Sequence, residues 1–181
     1  LLANSDNKII IHIINNTINI YVNLYNKLRP IHFICEYLKG KYMIEILKYM
    51  KSINVDFESQ NNRKTRPIHC ICFLQKGKYI IEILKYMKSI NVDFECRDYY
   101  GIRPIHYICM YQQGKYIIEI LKFMKSINVN FESLNEYFGI IDIICSTQKG
   151  EYMIEILQYL NNINVGFPQK SILVKSLHNN D

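Results

Sequence analysis

Apolar and polar positions fall along this chain in blocks that repeat. From Tyr42 to Lys51, Met43, Ile44, Ile46, Leu47 and Met50 recur at the three-and-four spacing of a helix face. Lys41, Glu45, Lys48 and Lys51 fall mainly on the other side, so the pattern predicts an amphipathic helix. A shorter run from about Pro30 to Tyr37 predicts a first helix opened by proline, whose fixed φ and missing amide hydrogen suit the first turn. A Gly-Lys turn separates the two. The longer helix is expected to end at Ser52 to Asn54, and Val55-Asp56-Phe57-Glu58 with a polar loop to return extended to the next short helix.

The block is copied. Arg29-Pro30-Ile31-His32 returns as Arg66-Pro67-Ile68-His69 and as Arg103-Pro104-Ile105-His106, a period of 37 residues. Gly40 to Glu58, Gly77 to Glu95 and Gly114 to Glu132 all read GKYxIEILKxMKSINVxFE. A degraded fourth copy keeps Cys145, Gly150 and Ile163-Asn164-Val165 in register but has Gly139-Ile140-Ile141-Asp142 at its start. Upstream, Ile9 to Ile20 and Tyr25-Asn26-Lys27-Leu28 read as half of a divergent copy. The chain therefore divides into a half-repeat or cap (1–28), repeats at 29–65, 66–102 and 103–138, a degraded repeat (139–167) and a capping tail (168–181). One unit cannot cover its own apolar face, so the copies are expected to stack into a single all-α domain.

These residues resemble the ankyrin repeat family, in which TPLH opens the first helix, a glycine precedes the second, and a hairpin loop joins successive units. Arg-Pro-Ile-His stands where TPLH would, Ile34-Cys35, Ile71-Cys72 and Ile108-Cys109 replace the doubled small residues, and Asp98-Tyr99-Tyr100-Gly101 matches a DxxG turn. The resemblance spans roughly residues 8 to 167 and implies an ankyrin-type solenoid of stacked helix-turn-helix repeats with hairpin-like loops. It departs from the family in length, about 33 residues being usual. The extra residues fall between the histidine and the glycine and in the second helix. The second unit has Asn61-Asn62-Arg63-Lys64 at the turn, so its hairpin tip is expected to be less regular. The family's histidine ties the loops of adjacent units by hydrogen bonds, a structural role implied for His32, His69 and His106 beside Pro30, Pro67 and Pro104.

Composition narrows the function classes. With 49% apolar and 21% charged residues in 181, the chain suits one folded domain, and a net charge of +6 is modest for a dedicated nucleic-acid binder. The longest apolar runs, such as Ile9 to Ile14 around His12, are too short to span a bilayer or to act as a signal peptide. An intracellular, cytoplasmic and monomeric protein is expected. The chain begins at Leu1 rather than Met, which reads as a segment of something longer.

Three His-Cys pairs, His32-Cys35, His69-Cys72 and His106-Cys109, suggest metal or thiol chemistry at first sight. A closed zinc site needs four ligands, and equivalent residues of stacked helices lie about 8 to 10 Å apart. That is also beyond the Cα separation of about 7 Å that a disulfide tolerates. A His-thiol catalytic pair would need one asymmetric constellation with an orienting third group, not three copies. Cys35, Cys72, Cys109 and Cys145 are instead expected to fill a small-residue slot as free thiols. The reading is of a protein with no enzymatic activity, cofactor, metal or small-molecule substrate.

Where the copies differ is more telling. Glu36-Tyr37 becomes Phe73-Leu74 and then Met110-Tyr111, and Gln60, Asn62, Arg63 and Lys64 correspond to Arg97, Tyr99, Tyr100 and Gly101. The resemblance implies that such positions line the concave groove and hairpin tips, where a partner protein is held. Glu36, Tyr37, Arg63, Lys64, Phe73, Arg97, Tyr99, Tyr100, Met110 and Tyr111 are the partner-binding candidates, Arg and aromatic residues being good anchors. Drift after duplication accounts for the same differences equally well. The alternative surface is a lysine stripe on the outer helices (Lys41, Lys48, Lys51; Lys78, Lys85, Lys88; Lys115, Lys122, Lys125), offset by Glu45, Glu82 and Glu119, which would attract nucleic acid or anionic lipid.

Overall fold

The computed structural model describes residues 29–40, 42–131 and 139–166. The half-repeat at 1–28, the tail at 168–181, Lys41 and the loop at 132–138 lie outside these. Among the described residues the protein is all-α, with eight helices and no strand. Short helices α1 (Pro30–Tyr37), α3 (Pro67–Leu74), α5 (Pro104–Tyr111) and α7 (Ile140–Thr147) alternate with longer helices α2 (Tyr42–Ser52), α4 (Tyr79–Ser89), α6 (Lys115–Ser126) and α8 (Gly150–Asn162). Short helix packs on short helix in chain order, and long on long, so the units form a two-layer stack.

Each boundary has a local cause. Proline occupies the first helical turn of α1, α3 and α5 behind an extended arginine. The glycines at 40, 77, 114 and 150 turn the chain between the paired helices at φ values of 61 to 76°, where a side chain would be strained. The long helices end in a repeated Schellman motif. In the first unit the Val55 N–H reaches Met50 O at 3.0 Å and the Asn54 N–H reaches Lys51 O at 3.1 Å, with Asn54 left-handed at φ 58°. Asn91, Asn128 and Asn164 repeat this at 62, 61 and 60°. The recurring Ile-Asn-Val is thus a helix stop signal, asparagine being the residue after glycine best suited to that conformation.

The stretch after the stop is not simply extended, as the pattern had suggested. Phe57 and Glu58 form a turn because Asp56 Oδ1 accepts the Glu58 N–H at 2.8 Å, and Asp93 does the same for Glu95. The turn drives Phe57 and Phe94 into the core, where Phe131 is buried as well. That core runs unbroken from Ile31 to Leu160 and is built from isoleucine, leucine and methionine of both layers. Cys35, Cys72 and Cys109 are fully buried where the short helices meet, while Cys145 is half-buried.

Candidate functional site

The hairpin tips are more alike than their sequences. At the tip that leads into α5, Asp98 Oδ1 accepts the Tyr100 and Ile102 N–H groups, both at 2.9 Å, and the Asp98 N–H closes the loop on Ile102 O at 3.0 Å. At the tip that leads into α3, Asn61 Oδ1 accepts from Arg63 and Thr65 at 2.9 and 3.0 Å, and the Asn61 N–H donates to Thr65 O at 3.1 Å. Lys64 takes the left-handed conformation of Gly101, at φ 54° against 76°. The less regular second tip expected from its sequence is therefore not found: an Asx turn needs only a short side-chain acceptor, which asparagine supplies as well as aspartate. The Tyr99 N–H donates to Arg63 O at 2.8 Å and joins the two tips.

The histidines sit behind the tips. His32, His69 and His106 are buried, and Nδ1 of each accepts the N–H of the arginine that opens its own helix, at 3.0 to 3.2 Å. The proton must then ride on Nε2, which in His32 donates to Thr65 O at 2.9 Å and in His69 to Cys96 O at 3.3 Å. The rings of His32 and His69 so tie a helix start to a loop. Burial lowers the pKa of all three; that of His106, which also feels Arg103 and Arg97, falls to about 3. In the degraded unit Asp142 replaces histidine and its Oδ2 accepts the Gly139 N–H at 3.0 Å.

Two further ladders cross between units, and neither was read from the sequence. Gln75 Nε2 donates to Leu38 O at 2.6 Å, Gln112 Nε2 to Gln75 O at 2.7 Å, and Gln148 Nε2 to Gln112 O at 2.8 Å, all three glutamines being buried. Arg66 pairs with Glu58 and Asp93, and buried Arg103 pairs with Glu95 at 2.7 Å. The second oxygens of Glu58 and Glu95 accept the Asp93 and Asn130 N–H groups at 2.9 and 2.7 Å. The glutamines directly follow α3, α5 and α7, which was the available signal.

The partner-binding candidates separate into two groups. Arg63, Lys64, Arg97, Tyr99 and Tyr100 are exposed on the tips, where the two tyrosine rings meet edge to face at 5.4 Å. On the short helices Tyr37 is 62% exposed, Phe73 and Tyr111 about two-fifths, and Glu36 and Met110 are half-buried. Phe73 and Tyr111 touch at 4.4 Å between ring centres, and Tyr107 lies 6.1 Å from both. Phe33 stacks on Tyr37 at 4.5 Å. Phe33 and Tyr107 were missed, although each stands four residues before a tyrosine and so shares its helix face. Asp98 links the groups, its Oδ2 accepting the Tyr107 hydroxyl at 2.8 Å. Lys76 Nζ lies 5.4 Å from the centre of the Tyr111 ring and also donates to Tyr111 O.

Thiol chemistry finds no activated group here. Cys96 Sγ lies 3.8 Å from His69 Nε2, yet burial pushes its thiol up to about 12, and Cys70 and Cys109 to about 12 as well, so all three stay protonated at neutral pH. Among the described residues no three of His, Cys, Asp and Glu gather closely enough to hold a metal ion. No helix among them is long and apolar enough to cross a membrane. No protein-family model matches the chain, and no curated protein matches it.

Proposed function

We propose that this chain is an ankyrin-type repeat solenoid, a non-enzymatic scaffold of the cytoplasm that holds another protein against its short helices and hairpin tips. The observation that carries the reading is the exposed aromatic face: Phe33, Tyr37, Phe73 and Tyr111 on the short helices and Tyr99 and Tyr100 on a tip are all open to solvent. Rigid aromatic rings lose little entropy on docking and are common anchors of interfaces. The tip-to-tip bond from Tyr99 to Arg63 and the buried histidines support the family reading. Six free thiols suit a reducing compartment. Replacing Tyr99, Tyr100 and Tyr111 together with Ala is expected to leave helical circular dichroism unchanged and to abolish capture of a partner from cell extract. Capture that survives the triple change contradicts the proposal.

A second reading rests on the opposite layer. Lys48, Lys51, Lys85, Lys88, Lys122 and Lys125 are all exposed on α2, α4 and α6 and enter no ion pair among the described residues. In α8 their places are taken by Gln158 and Asn161, so the stripe ends with the third unit. Binding of nucleic acid or anionic lipid there requires retention on heparin that falls steeply with salt and with Lys85→Glu and Lys122→Glu.

A further inference from the structure

The charges around the aromatic face are unequal. At its tip end stand Arg63, Lys64 and Arg97, all exposed. At its other end Lys76 caps the Tyr111 ring, and Lys39 is close enough for its charge to act on Lys76. Burial first, and then the charge of Lys39, lowers the Lys76 pKa. None of these five cations enters an ion pair among the described residues. The acids nearby are committed elsewhere: Asp98 takes two backbone N–H groups and the Tyr107 hydroxyl, and Glu58, Asp93 and Glu95 face Arg66 and Arg103. Glu36, which stands next to Tyr37 in α1, is half-buried.

We propose that the partner held on this face is an acidic, extended peptide segment, whose apolar side chains lie on Phe73, Tyr107 and Tyr111 and whose carboxylates meet Arg63, Arg97, Lys39 and Lys76. This rests on the docking function proposed above and names its occupant. A carboxylate arriving at Lys76, over the Tyr111 ring, meets a cation in no ion pair among the described residues, and cations at both ends of an apolar row favour a segment that carries acids on either side of an apolar centre. Single-stranded nucleic acid fits less well. Base stacking needs open ring faces, whereas Phe73 and Tyr111 pack edge to face, Lys76 covers Tyr111, and Tyr107 is pinned to Asp98.

The test is selection of random 12-residue peptides displayed on phage against the whole chain, followed by fluorescence anisotropy with the synthetic winners. Enrichment of Asp and Glu beside Phe or Leu is expected. Affinity should fall about tenfold or more in Arg63→Glu/Arg97→Glu and in Lys39→Glu/Lys76→Glu, and again with added salt, at unchanged circular dichroism. Neutral or basic winners that Phe73→Ala/Tyr111→Ala releases would overturn the acidic occupant and leave the docking face standing. Winners indifferent to Phe73→Ala/Tyr111→Ala, or no winners, would overturn both. Tighter binding of a fluorescein-labelled 15-nucleotide oligothymidylate would replace the peptide with nucleic acid.

Discussion

The side-chain amide of Gln112 donates to the backbone carbonyl of Gln75 across 2.7 Å, and the two residues stand one repeat of 37 apart. A buried polar side chain is thereby used as a bracket between units, at the end of the short helix where carbonyls lack partners within the helix. Gln112 also reaches Cys72 O at 3.2 Å, and its own carbonyl receives Gln148.

Gln112→Ala therefore strips two buried carbonyls of a donor in the middle of the stack. A loss of about 1 to 3 kcal/mol is expected in urea unfolding followed by circular dichroism. Gln112→Ala within experimental error of the parent would show that the ladder contributes nothing net.

The histidines make the fold sensitive to acid. Their folded pKa values lie below the ordinary 6.5, so they favour the folded state only while neutral. That contribution is complete above about pH 6.5, declines as the unfolded chain takes up protons that the folded chain refuses, and is gone below the folded values, about 3 for His106. Thermal midpoints should be level between pH 8 and 7 and fall steadily from pH 6.5 to 4. His106→Gln should flatten the fall, and an equally steep one in that variant would assign the acid sensitivity to other groups.

Lys64 and Gly101 share a backbone conformation that costs a residue with a Cβ about 1 kcal/mol. Lys64→Gly is expected to raise the thermal midpoint by about 2 to 4 °C, and Gly101→Ala to lower it by a similar amount. Opposite signs in the two scans are the diagnostic result; a destabilised Lys64→Gly would mean that the lysine side chain makes up for its strain.

Burial separates the isoleucines of the long helices. Ile83 is fully buried in α4, whereas Ile154 in α8 is 54% exposed. Ile83→Ala should cost about 2 to 5 kcal/mol and Ile154→Ala less than about 1 kcal/mol. Similar losses from both, measured by denaturant unfolding, would mean that Ile154 is covered in solution.

The sequence by itself determined the period, the alternation of short and long helices, the proline starts and the asparagine stops. These depend on neighbours within a few residues, and three copies in register repeat the same local instruction. It also marked the isoleucine core, since helical spacing alone sorts Ile46 and Leu47 from Lys48. Contacts between units were decided only by the tertiary structure. Gln75, Gln112 and Gln148 carry no local signal of the bonds they make, because only stacking brings the previous unit's carbonyls beside them. Asp142 looked like decay of a histidine until its carboxylate was found on the Gly139 amide. Lys64 looked like a break in a glycine turn, yet Asn61 and the neighbouring Tyr99 amide hold the tip in shape. The aromatic face divides the same way: the i and i+4 pairs were written in α1 and α5, but only packing α3 against α5 set Phe73 on Tyr111 and brought Lys76 over its ring. A helix specifies which side of itself is apolar, and the neighbour laid against it decides which exposed residues meet.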